Sequence, residues 1–203
     1  MVELITLAAF IPAALALNLT PGADMVFCIG QGIRSGPRAA WAASAGVATG
    51  GMIHVLIAGA GLSALLTQWP VAFDVIRWIG VGYLLWLAYT TLRPSSKPRV
   101  IPLKRQKDAY MTGLVVNLTN PKVILFVLAF IPQFIVPEAG PVLLQFFVFG
   151  LVIAAGGFVV NGVAGMWAGS VGQRVAQGSP VLDYITAGVF TALALRLAIL
   201  ERS

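Results

Sequence analysis

The sequence is poor in charged residues, cysteine and histidine, and each shortage excludes a class of protein. Charged residues make up 10% of the 203 residues, whereas a soluble domain carries about a quarter. The single cysteine, Cys28, excludes a disulfide framework and any multi-cysteine metal site. The single histidine, His54, cannot build a multi-histidine metal site, and no metalloprotease, serine-hydrolase or phosphate-loop motif occurs. We therefore expect no enzyme and no resident cofactor or metal.

Hydrophobic residues, in contrast, make up 59% of the chain, and the mean hydropathy is +0.91. A helix needs about twenty apolar residues to cross the hydrocarbon core of a bilayer. Six segments reach that length, roughly 4–30, 40–66, 70–92, 110–135, 141–168 and 181–200. We predict an all-α integral membrane protein in which residues 1–203 form one transmembrane domain. The first segment lacks the basic start of a signal peptide, so we expect it to remain as a span.

The basic residues are unevenly distributed between the predicted connectors. Six of them lie in the connector 93–108: Arg93, Lys97, Arg99, Lys104, Arg105 and Lys107. With Arg34, Arg38 and Arg174 they place nine positive charges on one side of a six-span protein, against three on the other. The positive-inside rule then puts both termini outside the cytoplasm. No aromatic residue is interleaved with the basic cluster, so we expect no nucleic-acid partner.

Two similar motifs interrupt the first and fourth apolar segments. The motif "NLTPGAD" covers Asn18 to Asp24, and "NLTNPK" covers Asn117 to Lys122, ninety-nine residues later. Because each half would hold three spans, related halves must be inserted in opposite orientations. We therefore predict two inverted three-helix repeats, about 1–92 and about 109–203, joined by the basic connector. Such repeats with broken helices are a recurring plan of secondary transporters.

The motifs bring polar side chains to membrane depth. Proline lacks a backbone donor and clashes with the carbonyl four residues earlier, so carbonyls near each break need partners or a wet cavity. The candidate site residues of the two breaks are Asn18, Thr20, Pro21, Gly22, Asp24, Asn117, Thr119, Asn120, Pro121 and Lys122. An intramembrane aspartate costs about 2.5–3.5 kcal/mol on insertion scales. Asp24 is therefore a candidate for binding substrate or carrying a proton.

Each of these features also has a structural interpretation. A proline in a membrane helix can be a kink alone, and the Lys122 side chain can extend to a nearby interface. In the functional interpretation, Lys122 is a counter-charge for Asp24 or for a substrate carboxylate. His54 in the second segment and Asn161 in the fifth are further candidate site residues, or else helix–helix hydrogen bonds.

Three blocks in order resemble the LysE/RhtB family of bacterial amino-acid exporters. The stretch "NLTPGADMVFCIGQGIRSGPRAAWAASAGVATGGMIHVLIAGAGLSALL" resembles the opening of that family, with Ala23 where the family usually has a second proline. "IGVGYLLWLAYTTLR" is similar to its third helix, and "NLTNPKVILFVLAFIPQF" to its N-P-K block. The likeness covers roughly residues 15–135.

The resemblance implies proton-driven efflux of amino acids or their derivatives across the bacterial inner membrane. In that membrane, the charge distribution would place both termini in the periplasm. The expected partners are a small-molecule substrate, protons and the lipid bilayer. Two other interpretations stay open: an exporter of a metal cation or other small solute, and a membrane enzyme or assembly factor without transport. The sequence does not identify the amino acid, and it leaves a homo-oligomer open.

Overall fold

A computed structural model describes residues 2–68, 71–93, 108–168 and 180–199. These residues form eight α-helices and two short 3-10 helices, and they contain no strand. The α-helices are α1 (Leu4–Leu19), α2 (Ala23–Ser35), α3 (Pro37–Gln68), α4 (Val71–Leu92), α5 (Ala109–Leu118), α6 (Pro121–Phe130), α7 (Val142–Met166) and α8 (Pro180–Ile199). The 3-10 helices, Ile131–Phe134 and Pro137–Ala139, lie between α6 and α7. The all-α prediction is thus confirmed for the described residues.

Two of these helices are long and apolar enough to cross a bilayer by themselves, within Pro37–Leu62 and Val142–Met166. The pairs α1 with α2, and α5 with Pro121–Phe134, also qualify, each as a broken span or a re-entrant loop. The apolar parts of α4 and α8 are shorter. The described residues therefore give two to four candidate spans, and the six-span inverted repeat stays a prediction. Most of the basic connector, residues 94–107, and Arg174 lie outside the described residues.

The described residues contain two bent helix pairs, and each bend lies at a proline motif. α1 ends at Leu19 and α2 begins at Ala23, with 54° between them. α5 ends at Leu118 and α6 begins at Pro121, with 56° between the two arms. Pro121 is the first residue of α6, a position that suits proline because the N–H that it lacks has no partner inside the helix there, whereas Pro21 lies two residues before the start of α2. Each motif therefore ends one helix and starts the next in a new direction.

A cluster of phenylalanines fixes α1 against the second broken pair. The ring of Phe10 on α1 lies 5.5 Å from that of Phe130 on α6 and 4.7 Å from that of Phe149 on α7. Phe126 lies 4.5 Å from Phe130. All four side chains are fully buried. Aromatic pairs at these distances add about 0.5–1.5 kcal/mol beyond the area that they bury, so the cluster holds the two breaks in a fixed relation.

Glycines allow neighbouring helices to approach closely near the breaks. α3 packs mainly against α5 and α7, while α4 packs against α8. A Cβ at Gly46 would overlap the backbone of α5, and one at Gly113 would overlap the backbone of α3. Gly32 and Gly165 make an equally close contact between α2 and α7. Small residues of this kind bring helix backbones together in membrane proteins, and here they draw both broken pairs around α3 and α7.

Candidate functional site

The two breaks lie around a shared cavity. Its empty volume is about 510 Å³, including space that is open at the surface of the protein. Eight of the twelve predicted site residues line the cavity: Asn18, Thr20, Gly22, Asp24, Asn117, Asn120, Lys122 and Asn161. The central helices α3 and α7 add small residues, among them Gly51 and Gly157. The fold thus brings together polar groups that are about a hundred residues apart in sequence.

The other four predicted site residues do not line this cavity. Pro21 and Pro121 are positioned where the helices change direction. Thr119 is exposed, and its hydroxyl donates to the Val115 carbonyl at 2.9 Å. His54, on α3, lies with Nε2 3.3 Å from the Asn117 carbonyl oxygen. These four residues shape or support the breaks without lining the cavity.

Asp24 of α2 is hydrogen-bonded to Asn117 of α5 across the cavity. Asn117 Nδ2 donates to Asp24 Oδ2 at 2.8 Å, and the Asn117 side chain is almost fully buried. Asp24 Oδ1 and Asn117 Oδ1 are also buried, and neither makes a hydrogen bond within the described residues. The amide oxygen can only accept, and so can the carboxylate oxygen while Asp24 is ionised. The pair therefore favours a ligand that donates hydrogen bonds, such as a substrate ammonium group.

Lys122 of α6 reaches to the first break. Its Nζ donates to the Leu17 carbonyl at 2.9 Å and to the Thr20 carbonyl at 2.8 Å. Leu17 is four residues before Pro21, so Lys122 supplies the donor that the proline lacks. The ammonium forms no ion pair with Asp24 within the described residues, but its charge acts on that carboxylate through space. Lys122 thus stabilises the first break and adds positive charge to the cavity.

Each asparagine that opens an NLT motif packs against a glycine of the opposite half. A Cβ added at Gly50 of α3 would lie 2.8 Å from Asn117 Oδ1. A Cβ added at Gly156 of α7 would lie 2.6 Å from Asn18 Nδ2. Asn18 Nδ2 donates to the Ile153 carbonyl of α7 at 3.2 Å. The two glycines therefore provide the room in which the asparagines reach the central helices.

Tyr83 of α4 also supports the site, although the sequence analysis did not single it out. Its hydroxyl donates to the Lys122 carbonyl at 2.9 Å, and its side chain is buried. The one available signal was a hydroxyl group inside an apolar segment. Ser44 of α3 was missed as well; its Oγ donates to the Phe158 carbonyl of α7 at 2.7 Å. These two bonds fix α6 and α7 beside the cavity.

The polar groups around the cavity suit a small organic solute. They comprise amides, a threonine hydroxyl, one carboxylate and one ammonium. The described residues contain no group of three or more His, Cys, Asp or Glu side chains that could hold a metal ion. The arrangement can therefore bind separate donor and acceptor groups of one small molecule.

Residues 15–201 match the family model of the LysE type translocator. The chain is 33% identical over 172 residues to a homoserine/homoserine lactone efflux protein of Salmonella typhi, which covers 83% of this chain and 81% of that protein. The protein of the same description from Salmonella typhimurium gives the same identity and coverage. An uncharacterized membrane protein of Vibrio cholerae is 35% identical over 132 residues, 64% of each chain. No solved structure matches the chain.

The family match extends over both breaks and the cavity between them, and it continues well beyond the 15–135 region in which the motifs are recognisable by eye. Identity of 33% over most of both chains agrees with it. The family prediction made from the motifs is confirmed. The chain is a membrane protein that belongs to the LysE type translocator family.

Proposed function

We propose that the protein is a secondary active exporter of amino acids or their derivatives across the bacterial inner membrane, coupled to protons. The observation that carries the proposal is the meeting of Asp24, Asn117 and Lys122 around one cavity between two broken helices. The relatives described as homoserine and homoserine lactone efflux proteins support this class of substrate.

The substrate ammonium would bind between Asp24 and Asn117. Their two free oxygens, Asp24 Oδ1 and Asn117 Oδ1, are acceptors without a partner in the described residues. An ammonium group carries donors only, so it matches both. A carboxylate that binds a substrate ammonium in one state and a proton in the other would couple export to proton entry. Intramembrane carboxylates commonly serve such relays.

The carboxylate or carbonyl end of the substrate would bind at the start of α2. No side chain caps this helix at Gly22, whereas α6 is capped by Asn120, whose Oδ1 accepts from the Lys122 backbone N–H at 3.1 Å. The first N–H groups of an uncapped helix and its positive dipole end favour an anionic or electron-rich oxygen. The positive charge of Lys122 adds to this effect.

We further infer that the two halves are inverted repeats with both termini in the periplasm. The packing of α3 against α7 and of α4 against α8 supports this, because each contact pairs corresponding helices of the two halves. The reciprocal contacts of Asn18 and Asn117 with glycines of the opposite half are also what a two-fold relation would produce. The charge distribution of the connectors supports the orientation.

The role of Asp24 is tested by the substitution Asp24→Asn in proteoliposomes that hold an imposed pH gradient, with homoserine as the probe. We expect gradient-driven homoserine transport to be lost while membrane insertion is unchanged, because the amide can neither bind nor release a proton. Glu138→Gln is the matched control, since Glu138 is exposed and far in sequence from either break. Transport at the wild-type rate by Asp24→Asn would refute the role.

The substrate class is tested separately in cells. Overexpression should lower the accumulation of toxic amino-acid analogues and raise resistance to them. Extracellular amino acids from overexpressing and deleted cells would then identify the substrate. A chain that changes neither quantity for any amino acid, but changes metal accumulation, would favour the metal-exporter alternative.

A further inference from the structure

A basic side chain approaches a carbonyl oxygen at each of the two breaks. A proline has no N–H to offer the carbonyl four residues earlier, which belongs to Leu17 for Pro21 and to Asn117 for Pro121. Lys122 Nζ lies 2.9 Å from the Leu17 oxygen, and His54 Nε2 lies 3.3 Å from the Asn117 oxygen. In both cases the basic residue belongs to the other half of the chain.

The contact of His54 fixes the tautomer of its ring. A carbonyl oxygen can only accept a hydrogen bond, so Nε2 must carry the proton. The same carbonyl also accepts from the Asn120 N–H at 2.9 Å, in the turn that follows α5. Asn117 O thus has two donors, one from its own break and one from α3.

The peptide held in this way carries the side chain that meets Asp24. Asn117 Nδ2 donates to Asp24 Oδ2 at 2.8 Å, and Gly50, one turn before His54 on α3, leaves room for Asn117. His54 is partly buried and does not line the cavity. Its hydrogen-bond contact with the site is therefore made through Asn117.

We propose that His54 is a positioning residue: its Nε2–H donates to the Asn117 carbonyl and holds Asn117 in place against Asp24. In its effect on substrate binding this inference rests on the proposed function, because Asn117 and Asp24 form the proposed ammonium site. The hydrogen bond itself does not depend on what the protein transports.

The tautomer can be measured directly, because the chain contains a single histidine. The histidine is labelled with the isotope ¹⁵N, and the protein is reconstituted in lipid. NMR of the ring nitrogens then shows which of them carries a proton. We expect a protonated Nε2 whose proton correlates with a carbonyl carbon. A ring protonated at Nδ1 alone would overturn the proposal. This test uses the wild-type protein and needs no substitution.

The unfolding equilibrium tests whether the hydrogen bond of His54 stabilises the fold. We compare the wild type, His54→Leu and His54→Gln in SDS–detergent micelles. His54→Leu should favour unfolding by about threefold, the usual scale of a hydrogen bond between membrane helices, whereas His54→Gln keeps a donor and should stay close to the wild type. Equal stability of His54→Leu and the wild type would contradict the hydrogen bond.

His54→Gln completes the design, because the glutamine amide nitrogen can donate from about the same place as Nε2. For homoserine transport, we expect His54→Leu to raise KM several-fold with little change in kcat, and His54→Gln to restore KM. Equal defects in both variants, or a loss confined to kcat, would overturn the positioning role. If the wild type does not transport homoserine, the proposed function fails, while the NMR and unfolding experiments still decide the inference.

Discussion

Thr20 and Thr119 make the same hydrogen bond in the two breaks. The Thr20 hydroxyl donates to the Ala16 carbonyl at 2.6 Å, and the Thr119 hydroxyl donates to the Val115 carbonyl at 2.9 Å. Hydroxyl groups that donate back to the carbonyl four residues earlier satisfy carbonyls near helix ends without water. The carbonyls near each break thus have two kinds of side-chain donor: the local threonine at Ala16 and Val115, and a basic side chain of the other half at Leu17 and Asn117.

The contact between Gly50 and Asn117 predicts that one added methyl group at residue 50 lowers stability. Gly50→Ala would place a Cβ 2.8 Å from Asn117 Oδ1 and 2.9 Å from Asn117 Cβ. We expect a loss of about 1–3 kcal/mol in the free energy of unfolding, the usual cost of overpacking, together with weaker substrate binding. Gly61→Ala on the same helix is the control, because a Cβ there meets nothing within 4 Å.

The measurement is SDS-induced unfolding of both variants, followed by homoserine transport. Equal stability of the two variants would show that Asn117 moves aside without cost. In that case the close fit at Gly50 has no energetic significance.

At the residue scale, the sequence was informative about which side chains matter and uninformative about their partners. Eight of the twelve candidates line the cavity, because a polar group in an apolar segment has few other uses. The partners depend on long-range packing, which no local pattern encodes. For Lys122 the sequence left two interpretations open, a counter-charge for Asp24 or a substrate and an extension to the interface. Its direct contacts are the carbonyls of Leu17 and Thr20.

At the scale of the helices, the end of α1 depends on α6. α1 has no side-chain cap at its start and no basic residue in its last turn, and the last carbonyls of a helix need donors or cations nearby. The Lys122 ammonium is both a donor and a cation, and it binds the carbonyls of Leu17 and Thr20. A side chain of the second break therefore stabilises the first break.

Lys122→Met tests this dependence. The methionine fills a similar volume but leaves the two carbonyls unsatisfied, and each buried unsatisfied group costs about 1–3 kcal/mol. We expect faster backbone hydrogen exchange in the last turn of α1 and at the start of α2, and a lower unfolding midpoint. Lys122→Gln retains a donor and should recover part of the protection. Unchanged exchange in α1 for Lys122→Met would show that the carbonyls find other donors.

The helix boundaries show where apolar length is a good guide and where it is not. The second segment was predicted at 40–66 and is observed as Pro37–Gln68, because an unbroken apolar run has one stable state in a bilayer. The first segment was predicted at 4–30, while the chain continues in helical form to Ser35 after its bend. The hydropathy pattern does not predict that extension, because α2 is stabilised there by packing against α3 and α7.

At the scale of the whole molecule, the apolar surface agrees with a membrane protein. Trp78 and Trp86 on α4, and Tyr184 and Ile185 on α8, are each more than half exposed. Such side chains on a soluble protein would form a patch large enough to cause association. In a bilayer the same faces contact lipid, and the polar groups are turned inward to the cavity.

The orientation of the molecule gives the last prediction. Ser35 is the last residue of the first broken pair and Glu138 follows the second; both are exposed. An inverted repeat with periplasmic termini places the connector at Ser35 in the cytoplasm and the connector at Glu138 in the periplasm. Because Cys28 is the single cysteine and is buried, Cys28→Ala gives a background without reactive thiols. Ser35→Cys and Glu138→Cys can then be labelled one at a time with a maleimide that does not cross membranes.

In intact spheroplasts we expect labelling of Glu138→Cys alone, and in inside-out vesicles labelling of Ser35→Cys alone. The reason is the excess of positive charge in the connectors on the Ser35 side, which are retained in the cytoplasm. Labelling of both sites from one side would be incompatible with three spans between them, and so with the inverted repeat. The reverse pattern would keep the repeat and overturn the charge rule for this chain. Labelling at the two sites thus tests the inverted repeat and its orientation in the membrane as two separate questions.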